Sequence, residues 1–211
     1  MTHPEAARVA IIDYGMGNVG SVARIVSRTG AKVTITDKAV DIADATHLIL
    51  PGVGAFPDAM KALNARQLIA PMEAAVLRNG KPILGICLGM ELLARASSEV
   101  EPTQGLGWID AEMVPFPKSK TLKVPHIGWN QIRHKRRETL MEAMDDGDFF
   151  YFVHSYHMVC NNADDVVAVS EYGGEFVAVV QRNNVMGTQF HPEKSQANGF
   201  RLLLNFLMHH G

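Results

Sequence analysis

Cysteine is scarce in this chain. Only Cys87 and Cys160 occur in 211 residues, which excludes a disulfide-stapled scaffold and fits a reducing compartment. Charge of one sign is missing too. The formal net charge is −2 at pH 7 and the isoelectric point is near 6.5, so neither nucleic acid nor an anionic membrane is called for as a partner. No run approaches the roughly 18 unbroken apolar residues that a membrane-spanning helix needs. Met1 to Arg8 is polar and short, without the apolar stretch of a secretory leader; the expectation is an unanchored, cytoplasmic chain. Repeats and low-complexity segments are absent as well. What remains is an ordinary globular composition, 47% hydrophobic and 20% charged, at a length suited to one domain over residues 1–211.

The informative stretch is Pro82-Ile-Leu-Gly-Ile-Cys-Leu-Gly-Met-Glu-Leu-Leu93. Its first half reads as a buried strand and Leu88 to Leu93 as the opening of a helix. Cys87 therefore falls at a strand-to-helix turn between Gly85 and Gly89, a nucleophile elbow with sulfur in place of a serine oxygen. Glycine suits the flanks because backbone must pass close there. A thiol at a helix N-terminus is expected to lean toward thiolate, the form that attacks carbonyl carbon. The plain alternative is a buried structural cysteine.

Around the elbow the first half alternates strand and helix. Arg8 to Asp13 is an apolar strand of the kind covered on both faces, followed by Asp13-Tyr-Gly-Met-Gly-Asn18, with Asn18 placed to cap a helix. Gly15, Gly17 and Gly20 mimic a dinucleotide fingerprint, but no acid ends the second strand in register, so a tight turn is the better reading. No cofactor and no metal is expected. Lys32 to Thr36 and His47 to Leu50 read as strands, the latter entering Pro51-Gly-Val-Gly54. Helical patterns cover Pro57 to Leu63 and Leu68 to Leu77. Beyond Gly105, β-rich segments take over: Trp108 to Phe116, Lys123 to Arg133, Phe149 to Cys160, Val166 to Tyr172, Phe176 to Arg182 and Val185 to Phe190. They suggest a largely antiparallel second sheet that packs on the first or continues it. Glu138 to Met144 reads as a short helix and Gln196 to His209 as a closing one. The Val185 to Phe190 strand runs into His191-Pro-Glu193. In an extended backbone these two side chains share a side, so an imidazole that takes a thiol's proton would have a carboxylate to orient it.

Gly85-Ile-Cys-Leu-Gly89 with Phe190-His-Pro-Glu193 resembles the class I (triad) glutamine amidotransferases. Asp13 to Asn18, Pro51 to Gly54, Pro125-His-Ile-Gly-Trp-Asn130, Phe152-Val-His-Ser-Tyr156 and His191 to Ser195 are similar to the glutaminase subunits of imidazole glycerol phosphate synthases, over nearly the whole chain. The resemblance implies an α/β fold, an open mixed sheet with helices on both faces plus a smaller antiparallel β region. It implies glutamine hydrolysis, with ammonia passed to a (β/α)8 cyclase partner in histidine biosynthesis. It implies Cys87 as nucleophile, His191 as base and Glu193 as its orienting acid. Leu88 and the Gly52-Val53 peptide would form the oxyanion hole, and glycine there would let the peptide flip when the partner is loaded. Gly54, Glu91, Ser155 and Tyr156 would bind substrate, and Asn18, Trp129 and Lys194 would lie at the partner interface. One departure from the family pattern matters: Glu91 stands where a glutamine that contacts the bound substrate is usual. Three other readings remain open. They are a paralogous glutaminase for an amino- or amidino-sugar synthase, a triad cysteine hydrolase acting on peptides or small thiols, and a non-catalytic regulatory subunit.

Overall fold

Strands that are apolar at every position need cover on both faces, and the chain supplies it. The computed structural model describes residues 7–117 and 122–209; most of the polar lead-in from Met1 lies outside them. Among these residues the first half runs β1 (Arg8–Ile12), α1 (Val19–Ser27), β2 (Lys32–Thr36), α2 (Ala39–Asp44), β3 (His47–Gly52), α3 (Phe56–Ala65), α4 (Ile69–Glu73), β4 (Ile83–Cys87) and α5 (Leu88–Glu91). The second half adds the short β5 (Ala96–Ser97) and β6 (Thr103–Gln104), then β7 (Ala111–Pro115), β8 (His126–Gln131), β9 (Arg133–His134), β10 (Phe149–His154) and β11 (Tyr156–Cys160). It closes with β12 (Val166–Glu171), β13 (Glu175–Arg182), β14 (Val185–Thr188) and α6 (Gln196–Met208).

The main sheet has the order β2-β1-β3-β4-β14-β13-β12-β9. The first five strands are parallel, and β13, β12 and β9 extend the sheet antiparallel. One face is packed by Val22, Ile25 and Val26 of α1 with Leu202, Leu203 and Phe206 of α6. The other is packed by Phe56 and Leu63 of α3 with Met72 of α4. The β-rich half thus largely continues the first sheet. The remainder forms a four-stranded sheet, β11-β7-β5-β6, and the antiparallel pair β10-β8.

Several element boundaries differ from the sequence reading. The helix after the elbow stops at Glu91, because Leu93 turns tightly back onto Met90 and Leu92 to Ala94 are drawn into the core. The segment read as Leu68 to Leu77 is a short α-helix that widens into a π-turn over Ala74–Arg78. Thr139–Met141 forms only a 3-10 turn. β14 ends at Thr188, and Pro192–Lys194 is a 3-10 turn rather than extended strand.

The tightest packing is where α5 crosses the sheet. A Cβ at Gly89 would sit 1.7 Å from the Leu50 carbonyl oxygen, and one at Gly85 would sit 2.6 Å from the Gly89 carbonyl oxygen. Both obstacles are backbone and cannot yield. Gly20, inside α1, has open space around its α-carbon. Gly89→Ala is therefore expected to cost upward of about 3 kcal/mol in urea unfolding or to prevent folding. Gly20→Ala should gain about 0.5–1 kcal/mol from helix propensity. Equal stability of the two variants would refute this account of the crossing.

Candidate active site

Cys87 ends β4 and opens α5 with φ 53° and ψ −114°. A non-glycine residue pays for such backbone, and sites of this kind cluster where a side chain must be held out over a pocket. The residue is held by its neighbours: Gly52 of β3 pairs beside it, and the α5 backbone crosses β3 directly behind. Its thiol points to the Val153 carbonyl at 3.7 Å.

Burial, with Glu91 nearby, pushes the Cys87 pKa well above the usual thiol range, while a hydrogen bond from the Leu88 N–H pulls the other way. This corrects the expectation of a resting thiolate. The four-residue α5 is too short to bring much dipole to bear, and desolvation of the anion prevails. At neutral pH Cys87 is therefore a thiol, and its proton must leave before the sulfur can attack.

His191 and Glu193 meet through the 3-10 turn. Nδ1 of His191 lies 2.8 Å from Oε1 of Glu193, with both side chains almost fully buried. A carboxylate only accepts, so Nδ1 carries the proton and Nε2 presents its lone pair. Nε2 has no partner among the described residues, and His191 lines the same pocket as Cys87. The turn is anchored from two sides. The Ser195 hydroxyl donates to the His191 carbonyl at 2.6 Å, and the His191 N–H donates to the Tyr151 carbonyl at 2.9 Å.

The pocket holds about 370 Å³ and is lined by Val53, Gly54, Cys87, Leu88, Glu91, Glu99, Pro125, His154, Ser155, Tyr156 and His191, among others. Most of the site residues read from sequence therefore converge on it. A larger hollow of about 720 Å³ lies at the opposite edge of the sheet, among Arg8, Lys32, His47 and Pro82, far from a nucleophile. Gly52 packs beside the pocket; its α-carbon hydrogen faces the Tyr14 hydroxyl and Leu88, with no room for a methyl group. Gly54 has φ +108°, backbone that suits glycine. The Val53 N–H donates to the Met16 carbonyl at 3.3 Å, so it is engaged away from the thiol in this conformation.

Sequence reasoning missed Glu99, Pro125 and His154. Glu99 sits in a polar loop without periodic signal, where its carboxylate accepts from the Phe56 N–H at 2.7 Å. His154 carries a decipherable proton pattern. Its Nδ1 must donate to the Tyr156 carbonyl at 2.8 Å, leaving Nε2 to accept from Nδ1 of His126 at 3.0 Å. Burial lowers the pKa of both rings, His126 to about 4 and His154 to about 3, so this neutral pair stiffens the Ser155-Tyr156 wall.

The three residues assigned to a partner surface do not enter the pocket. Trp129 is 46% exposed and stands edge-on to Tyr151, while the Lys194 ammonium lies 5.7 Å above the same ring. Asn18 caps α1 by accepting from the Ser21 N–H, and α1 packs near the Pro192–Lys194 turn.

An open α/β sheet with a thiol on a strained elbow, faced by a carboxylate-held imidazole, is equipped for acyl transfer from an amide or ester. The chain matches the family model of class-I glutamine amidotransferases over residues 10–210. It is 49% identical over 207 residues to the imidazole glycerol phosphate synthase subunit HisH 2 of Nitrobacter winogradskyi, covering 95% of this chain and 98% of that one. It is 46% identical to subunit HisH of Syntrophotalea carbinolica, over 94% and 98% of the two chains. In fold it resembles a crystal structure described as a glutamine amidotransferase, with TM-score 0.74 at 16% identity over 95% and 99%. It likewise resembles a chain of PurLQS from Thermotoga maritima, with TM-score 0.71 at 22% identity over 95% and 99%. The chain belongs to the class I glutamine amidotransferases and, within them, to the HisH subunits of imidazole glycerol phosphate synthase.

Glu91 yields a prediction for the empty protein. Burial raises its pKa to about 7, against a hydrogen bond from the Gln189 amide, and Glu99 adds to the rise. In the unfolded chain the carboxyl ionises near pH 4.5. Between pH 4.5 and 7 unfolding therefore releases a proton that the folded state retains, so stability falls as pH rises and the loss is complete above pH 7. Glu91→Gln should match the parent near pH 4.5 and exceed it at pH 8 by on the order of 3 kcal/mol in urea unfolding. A stability difference that does not change with pH would refute the buried-acid account.

Proposed function

We propose that this chain is a glutaminase subunit that hydrolyses L-glutamine through a Cys87 thioester. The ammonia passes to a (β/α)8 cyclase partner, which makes imidazole glycerol phosphate and AICAR in the cytoplasm. The observation that carries the reading is the convergence of Cys87 with a carboxylate-held His191 on one pocket of amino-acid size.

The reaction follows from the atoms. As the Cys87 sulfur attacks the side-chain amide carbon of glutamine, its proton passes to Nε2 of His191, and the imidazolium is stabilised by Glu193 through Nδ1. The oxyanion takes the Leu88 N–H and a donor from the Gly52-Val53 peptide. His191 then protonates the departing nitrogen, leaving ammonia and a glutamyl thioester. Water attacks the thioester with His191 as base, and glutamate and the thiol are restored. Gly54, Ser155 and Tyr156 line the side of the pocket that would take the amino-acid end.

A partner surface is available at the same edge. On the β8–β10 pair, His126, Phe150, Phe152 and His154 face inward, while Ile127, Trp129 and Phe149 are left exposed on the outward side. Lys194 stands beside them and Asn18 is exposed at the start of α1.

Cys87→Ala should abolish glutamine-dependent synthesis in the complex while synthesis from added ammonia persists; retention of glutaminase activity would remove Cys87 from the nucleophile's role. Glu193→Gln should cost about ten- to a hundredfold less than His191→Ala, because an amide still orients the ring. Equal losses in folded protein would mean that Glu193 does more than orient.

The coupling is also testable. With the Val53 N–H held by Met16, the oxyanion hole lacks a donor, which costs about 100-fold or more in rate. The isolated chain should hydrolyse glutamine slowly and accelerate by at least that factor when the partner binds its own substrate. Replacing Gly52 is not a usable test, since any side chain there strikes Tyr14 and Leu88. Equal turnover by the lone chain and the loaded complex would exclude the peptide flip.

A further inference from the structure

Glu91 is a buried acid in the wall of the Cys87 pocket, and its surroundings give that placement a consequence. The argument rests on the glutamine reading above. If the amide of glutamine lies at Cys87, its amino-acid end lies farther along the same pocket, bringing one ammonium and one carboxylate. An ammonium needs acceptors, and among the described lining residues the carboxylates are Glu91 and Glu99. Among the described residues, no lysine or arginine lines the pocket. Glu91 is 6% exposed, and one of its oxygens takes the Gln189 amide at 2.8 Å.

The titratable groups around it do not supply a counter-charge. Tyr14 from the turn after β1 is neutral, its ionisation opposed by burial and by Cys87 and Glu91. Cys87 at the end of β4 is a thiol. Glu99, before β6, is a second acid. His154 of β10 is held neutral by burial, and the His191 ring is already committed to Glu193. Lys194 is felt at Cys87, but it stands over Tyr151 on the surface.

A buried acid without a cation keeps its proton. The ammonium of glutamine would be the missing cation. We infer that Glu91 is a specificity residue that reads the α-ammonium of the substrate, and that glutamine binding expels a proton from its carboxyl group. The step balances: neutral carboxyl plus ammonium becomes a carboxylate–ammonium pair, and one proton goes to solvent. A glutamine at this position would have no proton to lose, so the coupling depends on the Glu91 carboxyl group. The raised pKa of Glu91, about 7 in the empty site, places the transition in the neutral range. Affinity for glutamine should rise with pH by up to about tenfold per unit below that value and level off above it.

The test is calorimetric titration of L-glutamine into the Cys87→Ser full chain in complex with its cyclase. It is run between pH 5.5 and 8 in pairs of buffers with different ionisation enthalpies. The expected result is release of close to one proton at the acid end, falling toward none at pH 8. Glutaramate, which lacks the ammonium, should bind more weakly with no proton released. With Glu91→Gln added, glutamine affinity should become nearly independent of pH. Should that variant fail to fold, the glutamine and glutaramate proton counts decide by themselves. Glutamine binding without proton release, or with equal release in Glu91→Gln, overturns the inference while leaving the glutaminase reading intact. No glutamine binding, together with no labelling of unmodified Cys87 by an electrophilic glutamine analogue, overturns that reading instead.

Discussion

The passage of α5 across the end of β3 is the constraint on which the site depends. Backbone meets backbone there: the Gly89 α-carbon lies against the Leu50 carbonyl, and Gly85 lies against Gly89. Only a chain without side chains at these points can turn from β4 into a helix within one residue, and that residue is Cys87. The same crossing fixes Gly52 against Tyr14 and Leu88, which aligns the Pro51-to-Gly54 segment with the elbow. The candidate nucleophile and the candidate oxyanion donors are thus positioned by steric exclusion, in a densely packed interior that yields little. The strained backbone at Cys87 is sustained by this packing and by the buried strands on either side.

Electrostatics then sets the resting state. The pocket surrounds its thiol with low dielectric and with acids, so Cys87 keeps its proton and Glu91 holds its own up to about pH 7, and the neighbouring His126–His154 pair stays neutral as well. Little charge is stored in the empty site. In the proposed reaction charge arrives with the substrate, and the His191–Glu193 pair would carry the positive charge formed when the thiol yields its proton. A site built this way is quiet until filled, which suits a subunit whose product, ammonia, is wasted unless a partner is ready to consume it.

The two halves of the chain divide the labour. The parallel strands bring Cys87 and the His191 turn to one edge, since β4 and β14 are neighbours with Gly187 beside Gly85. The β-rich half supplies the opposite wall: Val153 to Tyr156 pass over the thiol, and the outward side of β8 and β10 carries the exposed Trp129. The link between them is Tyr151, whose carbonyl holds His191 and whose ring meets both Trp129 and Lys194. A displacement of that surface reaches His191 through one residue and one hydrogen bond.

The sequence by itself determined the parts whose chemistry is local. The elbow glycines, the cysteine between them and the His-Pro-Glu spacing specify an acyl-transfer site, and the strand–helix alternation specifies a doubly wound sheet, because each is a short-range pattern of sterics or periodicity. Tertiary structure decided what depends on neighbours distant in sequence. It placed Glu193 in a 3-10 turn that opens after His191 rather than in a strand, brought Glu99 and His154 into the pocket, and turned Val53 toward Met16. It also reversed the expected ionisation of Cys87 and raised the pKa of Glu91 to about 7. Desolvation is a sum over everything packed around a group, and no window of sequence contains it.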